Sequence, residues 1–152
     1  MIPPSMPKFD FRYLKLYLLP VLLLLPTVVY GQETKTHPID KYFNTCTEKD
    51  PSTAGMVQCT DTVYKMWDKE LNKNYLALMR KLKPEGKQSL KAAQLEWIKY
   101  RDTEFRLIDN IYDMFEGTMY IPMRAGQRMD LIKARAQELA SFLDLVVNES
   151  AP

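Results

Sequence analysis

The chain has 152 residues, 26% charged and 46% hydrophobic, with two cysteines and a single histidine. Its 21 basic residues nominally exceed its 19 acidic ones, but residues 1–31 hold three basic side chains (Lys8, Arg12, Lys15) and one acidic (Asp10), so 18 of each remain and the rest is formally neutral. That balance argues against the clustered positive surface that nucleic-acid or anionic-membrane binding requires, and the remaining length suits one domain with a single modest core.

The basic leader precedes an apolar run from Leu16 to Val29, interrupted by Pro20 and Pro26. The run is short for a membrane span and suits a signal-peptide core, with Val29 and Gly31 at the positions a signal peptidase inspects. Residues 1–31 therefore read as a signal peptide cut after Gly31, which places the mature chain in the periplasm or outside the cell, free of the membrane. The rival reading is an uncleaved anchor, to which the long leader and Tyr30 point. No cysteine directly follows the run, which argues against a lipid-modified N-terminus. Residues 32–45 are polar and read as an extended lead-in. His37 lies there as a solvated side chain far from other ligand types, so neither a histidine metal site nor a Ser-His or Cys-His pair is indicated.

Cys46 and Cys59 bracket the turn-rich stretch TEKDPSTAGMVQ. In an exported chain such a pair reads as a disulfide closing an N-terminal loop, worth roughly 3 kcal/mol in the chain-entropy picture. A metal or redox role would require a CxxC spacing or further ligands. Next, Tyr64, Trp67, Leu71, Tyr75, Leu78 and Leu82 repeat at three- and four-residue steps, which predicts a long helix capped by Thr60 or Asp61. Lys83-Pro84-Glu85-Gly86 ends it, and Pro84 suits the first turn of a second helix running to about Ile111. So short a connection predicts an antiparallel helical hairpin.

On that second helix Leu90, Ala93, Trp97, Tyr100, Leu107 and Ile111 form one apolar stripe, and Ile98, Phe105 and Ile108 form another beside it. The combined arc is wide enough for two neighbours, which predicts the central member of the bundle. Gln94, Arg101 and Glu104 fall inside the arc, and the spacing of Arg101 and Glu104 predicts an ion pair between them. The preferred reading makes the aromatics core with the polar tips satisfying one another; the alternative makes Trp97, Tyr100, Arg101 and Glu104 a recognition surface. A glycosidase-type carboxylate pair of Glu104 with Asp102 or Asp109 is disfavoured, because such groups must face each other across a cleft.

Tyr112 to Met123 (YDMFEGTMYIPM) is broken by Gly117 and Pro122 and reads as a loop that either docks a partner or clamps the end of the bundle. A third helix follows through Ala125, Met129, Ile132, Ala136, Leu139, Leu143 and Val146, expected to pack on the central arc. The domain is bounded at 46–147, with a tail at 148–152.

Several of these residues carry a resemblance. A Cys heading a helix, Asp68-Lys69-Glu70-Leu71-Asn72 with Tyr75, Leu90, Gln94-x-x-Trp97-x-x-Tyr100-Arg101-Asp102, Ile121-Pro122-Met123, and Leu131 with Arg135-x-x-Glu138-Leu139 together resemble the LprI-like lysozyme-inhibitor domain, over about Cys46 to Leu139. The resemblance implies a small, exported, all-helical domain of bacterial envelopes and, for some members, inhibition of lysozyme. Phe105 and Gln127 stand where relatives often carry a second cysteine pair, so both partners of that bridge are missing together. The expectation is an all-α protein, a helical hairpin plus a third packed helix. It is expected to be a monomeric binding protein and not an enzyme, with no cofactor and no metal. Its partner would be a lysozyme-type glycosidase or, for an assembly module, another envelope protein. Tyr120, Met123 and Arg124 are the first candidates for the contact, with Lys83 and Lys87 second.

Overall fold

The computed structural model describes residues 36–149, which form four α-helices and, among the described residues, no strand. They are α1 (Pro38–Lys49), α2 (Thr53–Lys81), α3 (Pro84–Tyr112) and α4 (Tyr120–Glu149). The expected signal peptide, 1–31, lies outside the described residues.

The expected lead-in is largely a helix. Pro38 supplies a preset φ at the first position, and His37 caps it by accepting the Ile39 N–H on Nδ1 at 3.2 Å. Ile39, Phe43 and Cys46 recur at four- and three-residue steps and face α2, a short apolar pattern hidden by the polar composition around it. His37 is accordingly not a free solvated side chain: its ring lies 4.5 Å from that of Trp67.

The turn into α2 spans residues 50–52. Ser52 caps α2, its hydroxyl accepting the Gly55 N–H at 3.0 Å. The Asp50 carboxylate accepts from the Ser52 backbone at 3.1 Å, and hydrogen bonding to Ser52 draws its pKa below the usual carboxylate value. Gly55 lets these groups close up, since a Cβ there would collide with the Asp50 carboxyl group. Helix α2 thus starts seven residues before the expected Thr60/Asp61 cap. Thr60 is buried inside the helix and bonds back to the Met56 carbonyl at 2.7 Å. The Cys46–Cys59 disulfide is present and joins α1 to α2 with their Cα atoms 5.8 Å apart.

The core is built from α2 and α4. Val63, Trp67, Leu71 and Leu78 of α2 meet Met129, Ile132, Ala136 and Leu139 of α4, and Ile39 of α1 closes one side. The small Ala136 allows close approach, and the buried Asn74 amide crosses to the Ala136 carbonyl at 3.1 Å.

The sequence-based arrangement is corrected here. The most extensive packing joins α2 to α4, a smaller contact joins α1 to α2, and α3 makes its main, and limited, contact with α4. The connection between α2 and α3, Leu82-Lys83, is as short as expected, yet the two helices do not form the tightly packed hairpin. Nor is α3 central: Ile108 is its one buried side chain among the described residues, while Tyr100, Leu107 and Ile111 stay about half exposed. An apolar arc states what a helix could bury, and the register of α4 fits α2 better.

Candidate functional site

The polar residues of α3 divide between a latch and an exposed face. Arg135 of α4 is buried at 8% exposure; its Nε donates to Gln94 Oε1 at 3.1 Å and its terminal nitrogen to Glu138 Oε2 at 2.6 Å. Its guanidinium lies over the Trp97 ring at 5.8 Å. One cation therefore gathers Gln94, Trp97 and Glu138 across the α3–α4 contact, which satisfies a charge that burial would otherwise penalise. One turn further on, Arg101 lies over Trp97 at 5.6 Å and Phe105 at 5.9 Å and donates to Asp102 Oδ1 at 2.9 and 2.6 Å. The expected Arg101–Glu104 pair is replaced by this Arg101–Asp102 pair, because the guanidinium lies along the aromatic rings and ends beside its neighbour. Arg128 completes the series, over Phe105 at 5.3 Å and paired with Asp109. Burial pushes the Tyr64 phenol up, while the nearby Arg101 and Arg128 oppose the shift; its ring contacts Phe105 at 6.5 Å. Tyr100 takes no part in this assembly and is half exposed.

A second constellation lies where α3 hands over to α4. The connection is residues 113–119, shorter than the expected loop, because α4 already begins at Tyr120. Pro122 is accommodated in its first turn, where the missing N–H costs nothing. Gly117 takes a φ of +115°, a conformation open to glycine. The rings of Tyr112, Phe115 and Tyr120 gather here, Phe115 stacked on Tyr120 at 5.0 Å and both tyrosines 6.4 Å apart. Arg124 bonds to Asp113 at 3.0 Å across the connection. Around them Met114 is 80% exposed, and Phe115, Met119, Ile121 and Met123 are about half exposed. Tyr120 and Arg124 thus come together, with Met123 beside them in sequence on an exposed face. Lys83 and Lys87 sit apart, at the α2–α3 turn, with no ion pair among the described residues. Asp113 and Phe115 were not singled out in the sequence; the aromatic spacing of Tyr112, Phe115 and Tyr120 is the signal that held them.

Among the described residues no group of three or more His, Cys, Asp or Glu side chains is placed to hold a metal ion, and no helix is long and apolar enough to cross a membrane.

Residues 46–139 match the family described as Lysozyme inhibitor LprI, a span that includes the latch from Gln94 to Glu138. The chain belongs to the LprI family. Its fold is also similar to the crystal structure of an uncharacterised protein from Burkholderia thailandensis, with a TM-score of 0.69 and 27% identity. That likeness covers 74% of this chain and 56% of the other, so the chain spans little more than half the length of that protein. Comparison with curated proteins finds no match. Within an LprI domain the residues quoted for the family resemblance have two kinds of surroundings: Gln94 and Trp97 of α3 meet Arg135 of α4, which Glu138 of the same helix pairs, whereas Tyr100 faces solvent.

Proposed function

We propose that this LprI-family protein is exported by residues 1–31 and, as a monomeric domain bounded at 46–147, binds a lysozyme-type glycosidase and obstructs its cleft. The observation that carries this reading is the apolar end formed by Met114, Phe115, Met119, Ile121 and Met123, all substantially exposed around a charged pair. Contiguous exposed apolar side chains mark interaction surfaces, and flexible Met with aromatic anchors suits a protein interface.

A lysozyme cleft presents two carboxylates of different protonation, for which an inserted cation is the natural complement. Arg124 is the cation nearest the apolar end; Asp113 holds it through one terminal nitrogen, which leaves the exposed guanidinium with donors for an enzyme carboxylate. Lys83 and Lys87 carry charge without an intramolecular partner among the described residues but lack comparable apolar neighbours. A neutral mature chain gives weak long-range steering, so salt should matter little.

The exported, purified protein is expected to slow lysis of a peptidoglycan suspension by lysozyme, with modest dependence on ionic strength. Arg124→Ala or Tyr120→Ala should weaken the effect while leaving the circular dichroism spectrum unchanged. An unaltered lysis rate at large molar excess, against both animal-type and bacterial-type lysozymes, would refute the reading.

A further inference from the structure

We infer that the pocket between the end of α3 and the start of α4 binds a neutral pyranose ring of a glycan chain. The pocket has a volume of about 230 Å³ and is lined by Tyr112, Asp113, Phe115, Gly117, Tyr120, Ile121 and Arg124. That is below the roughly 300–1,000 Å³ of sites for drug-sized ligands, and it suits a single ring.

The lining selects by exclusion. Arg124 and Asp113 are paired at 3.0 Å with side chains 36% and 67% exposed, so their charges nearly cancel while remaining within a ligand's reach. A small free anion gains little at a guanidinium already paired with Asp113, and a small free cation gains little at a carboxylate already paired with Arg124, whereas a protein carboxylate is brought there by the rest of an interface. A wholly apolar ligand would strip water from an ion pair and return no hydrogen bonds. What suits a lining that exposes more polar than apolar surface is a neutral ring with a hydroxyl rim and one small apolar face. The face lies on an aromatic surface such as the half-exposed Phe115, which Tyr120 backs at 5.0 Å. The rim donates to the Asp113 carboxylate and accepts from the Arg124 guanidinium. The hydroxyls of Tyr112 and Tyr120 make no hydrogen bond to a described residue and add two groups that can donate or accept. Gly117 keeps one wall free of a side chain; a Cβ there would be 4.0 Å from the Tyr120 ring.

This inference stands apart from lysozyme binding, although a glycan is what a lysozyme-type enzyme cleaves. The test is a titration of the isotopically labelled, exported protein with the neutral β-1,4-linked trimer of N-acetylglucosamine, followed by amide NMR with no enzyme present. Saturable shifts are expected within residues 112–124, with a dissociation constant of about 1 mM. Phe115→Ala should weaken binding about tenfold, in keeping with loss of one aromatic contact, and Lys91→Ala, at an exposed position of α3, should leave it unchanged. Asp113→Asn, a surface change that preserves shape, serves as the second variant should Phe115→Ala disturb the fold, and should also weaken binding. No saturation by about 10 mM, shifts centred elsewhere, or parental affinity in a folded Phe115→Ala or Asp113→Asn protein would overturn the inference. Lysozyme inhibition without glycan binding rejects this inference alone; glycan binding without inhibition rejects the inhibitor reading alone.

Discussion

Arg135→Met tests the latch most directly. The substitution keeps an unbranched apolar stem under Trp97 but removes the bond to Gln94 and the pair with Glu138. A charge-assisted bond to a half-buried amide contributes roughly 1.5–3 kcal/mol. Glu138 is 49% exposed and recovers water, so its pair contributes at most about 1 kcal/mol. The cation over the indole adds about 0.5–1 kcal/mol. Some of this returns through the methionine stem, leaving a loss near 3 kcal/mol, or roughly 12 °C in melting temperature for a domain of this size. Because Ile108 is the one buried side chain of α3 among the described residues, the helix depends on the latch, and its amides should lose exchange protection before those of α2 and α4. Thermal melting by circular dichroism and amide exchange by NMR read the two effects. Arg101→Ala is the comparison: its pair with Asp102 contributes at most about 1 kcal/mol and its two ring contacts about 0.5–1 kcal/mol each, but all three partners lie on α3, so its loss should not lower α3 protection selectively. A melting point for Arg135→Met within about 3 °C of the parent, with α3 protection intact, would refute the argument.

Trp67→Ala should cost roughly 3–5 kcal/mol in chemical denaturation, since the ring is buried between α2, α4 and His37, whereas Trp97→Ala, at a half-buried site, should cost clearly less; equal losses would contradict the central role given to α2. Cys59→Ala should lower stability by roughly 2–4 kcal/mol, and intact mass should place the oxidised protein two hydrogens below its reduced form; two free thiols in the purified, non-reduced protein would contradict the bridge. Asp130 has its pKa raised, chiefly by desolvation, with Asp40 adding to the rise and Lys133 opposing it. A raised folded-state pKa means that the ionised carboxylate disfavours folding, so stability attributable to this group falls as pH rises through the folded pKa. Asp130→Asn should therefore raise the melting temperature slightly at neutral pH and lose that advantage in acid, and a decrease at neutral pH would reverse the assigned sign.

The long helices were legible because their apolar positions recur at helical spacing over many turns, and Pro84 with Lys83 before it marks the boundary between α2 and α3. The disulfide was legible because two cysteines allow one pairing. Helix α1 was not: three contacts at Ile39, Phe43 and Cys46 identify its face only once Trp67 and the disulfide are placed. The central position was misassigned for a related reason. Periodicity weighs α3 and α2 alike, but the decision rests on fit, where Ala136 admits close approach and Asn74 finds a carbonyl partner on α4. Among the candidate site residues, the spacing of Arg101 and Glu104 on one helix pointed to a pair, whereas the guanidinium followed Trp97 and Phe105 to Asp102. Contacts between distant segments, such as Arg135 to Gln94 and Arg124 to Asp113, have no local signature.

The choice between the two ends of the molecule rests on how firmly each is held. A surface that is already ordered before binding loses less entropy on docking. At the α3–α4 connection, Arg124 ties the connection to α4 through Asp113, Arg128 spans Phe105 and Asp109, and Tyr64 meets Phe105 from α2. Ile121 also borders the first turns of α2, which the disulfide fastens to α1. Exposed Met and aromatic side chains are thus presented from a tied scaffold. The turn carrying Lys83 has a backbone bond from Lys87 to the Lys83 carbonyl at 3.0 Å but no side-chain cap, and neither the exposed Lys83 nor the half-buried Lys87 has an ion pair among the described residues. Ordering two such long side chains costs roughly 1.5–2 kcal/mol each, which consumes most of what an exposed ion pair returns. The ring-lined end avoids most of that loss, and for this reason it is the end at which we propose the contact.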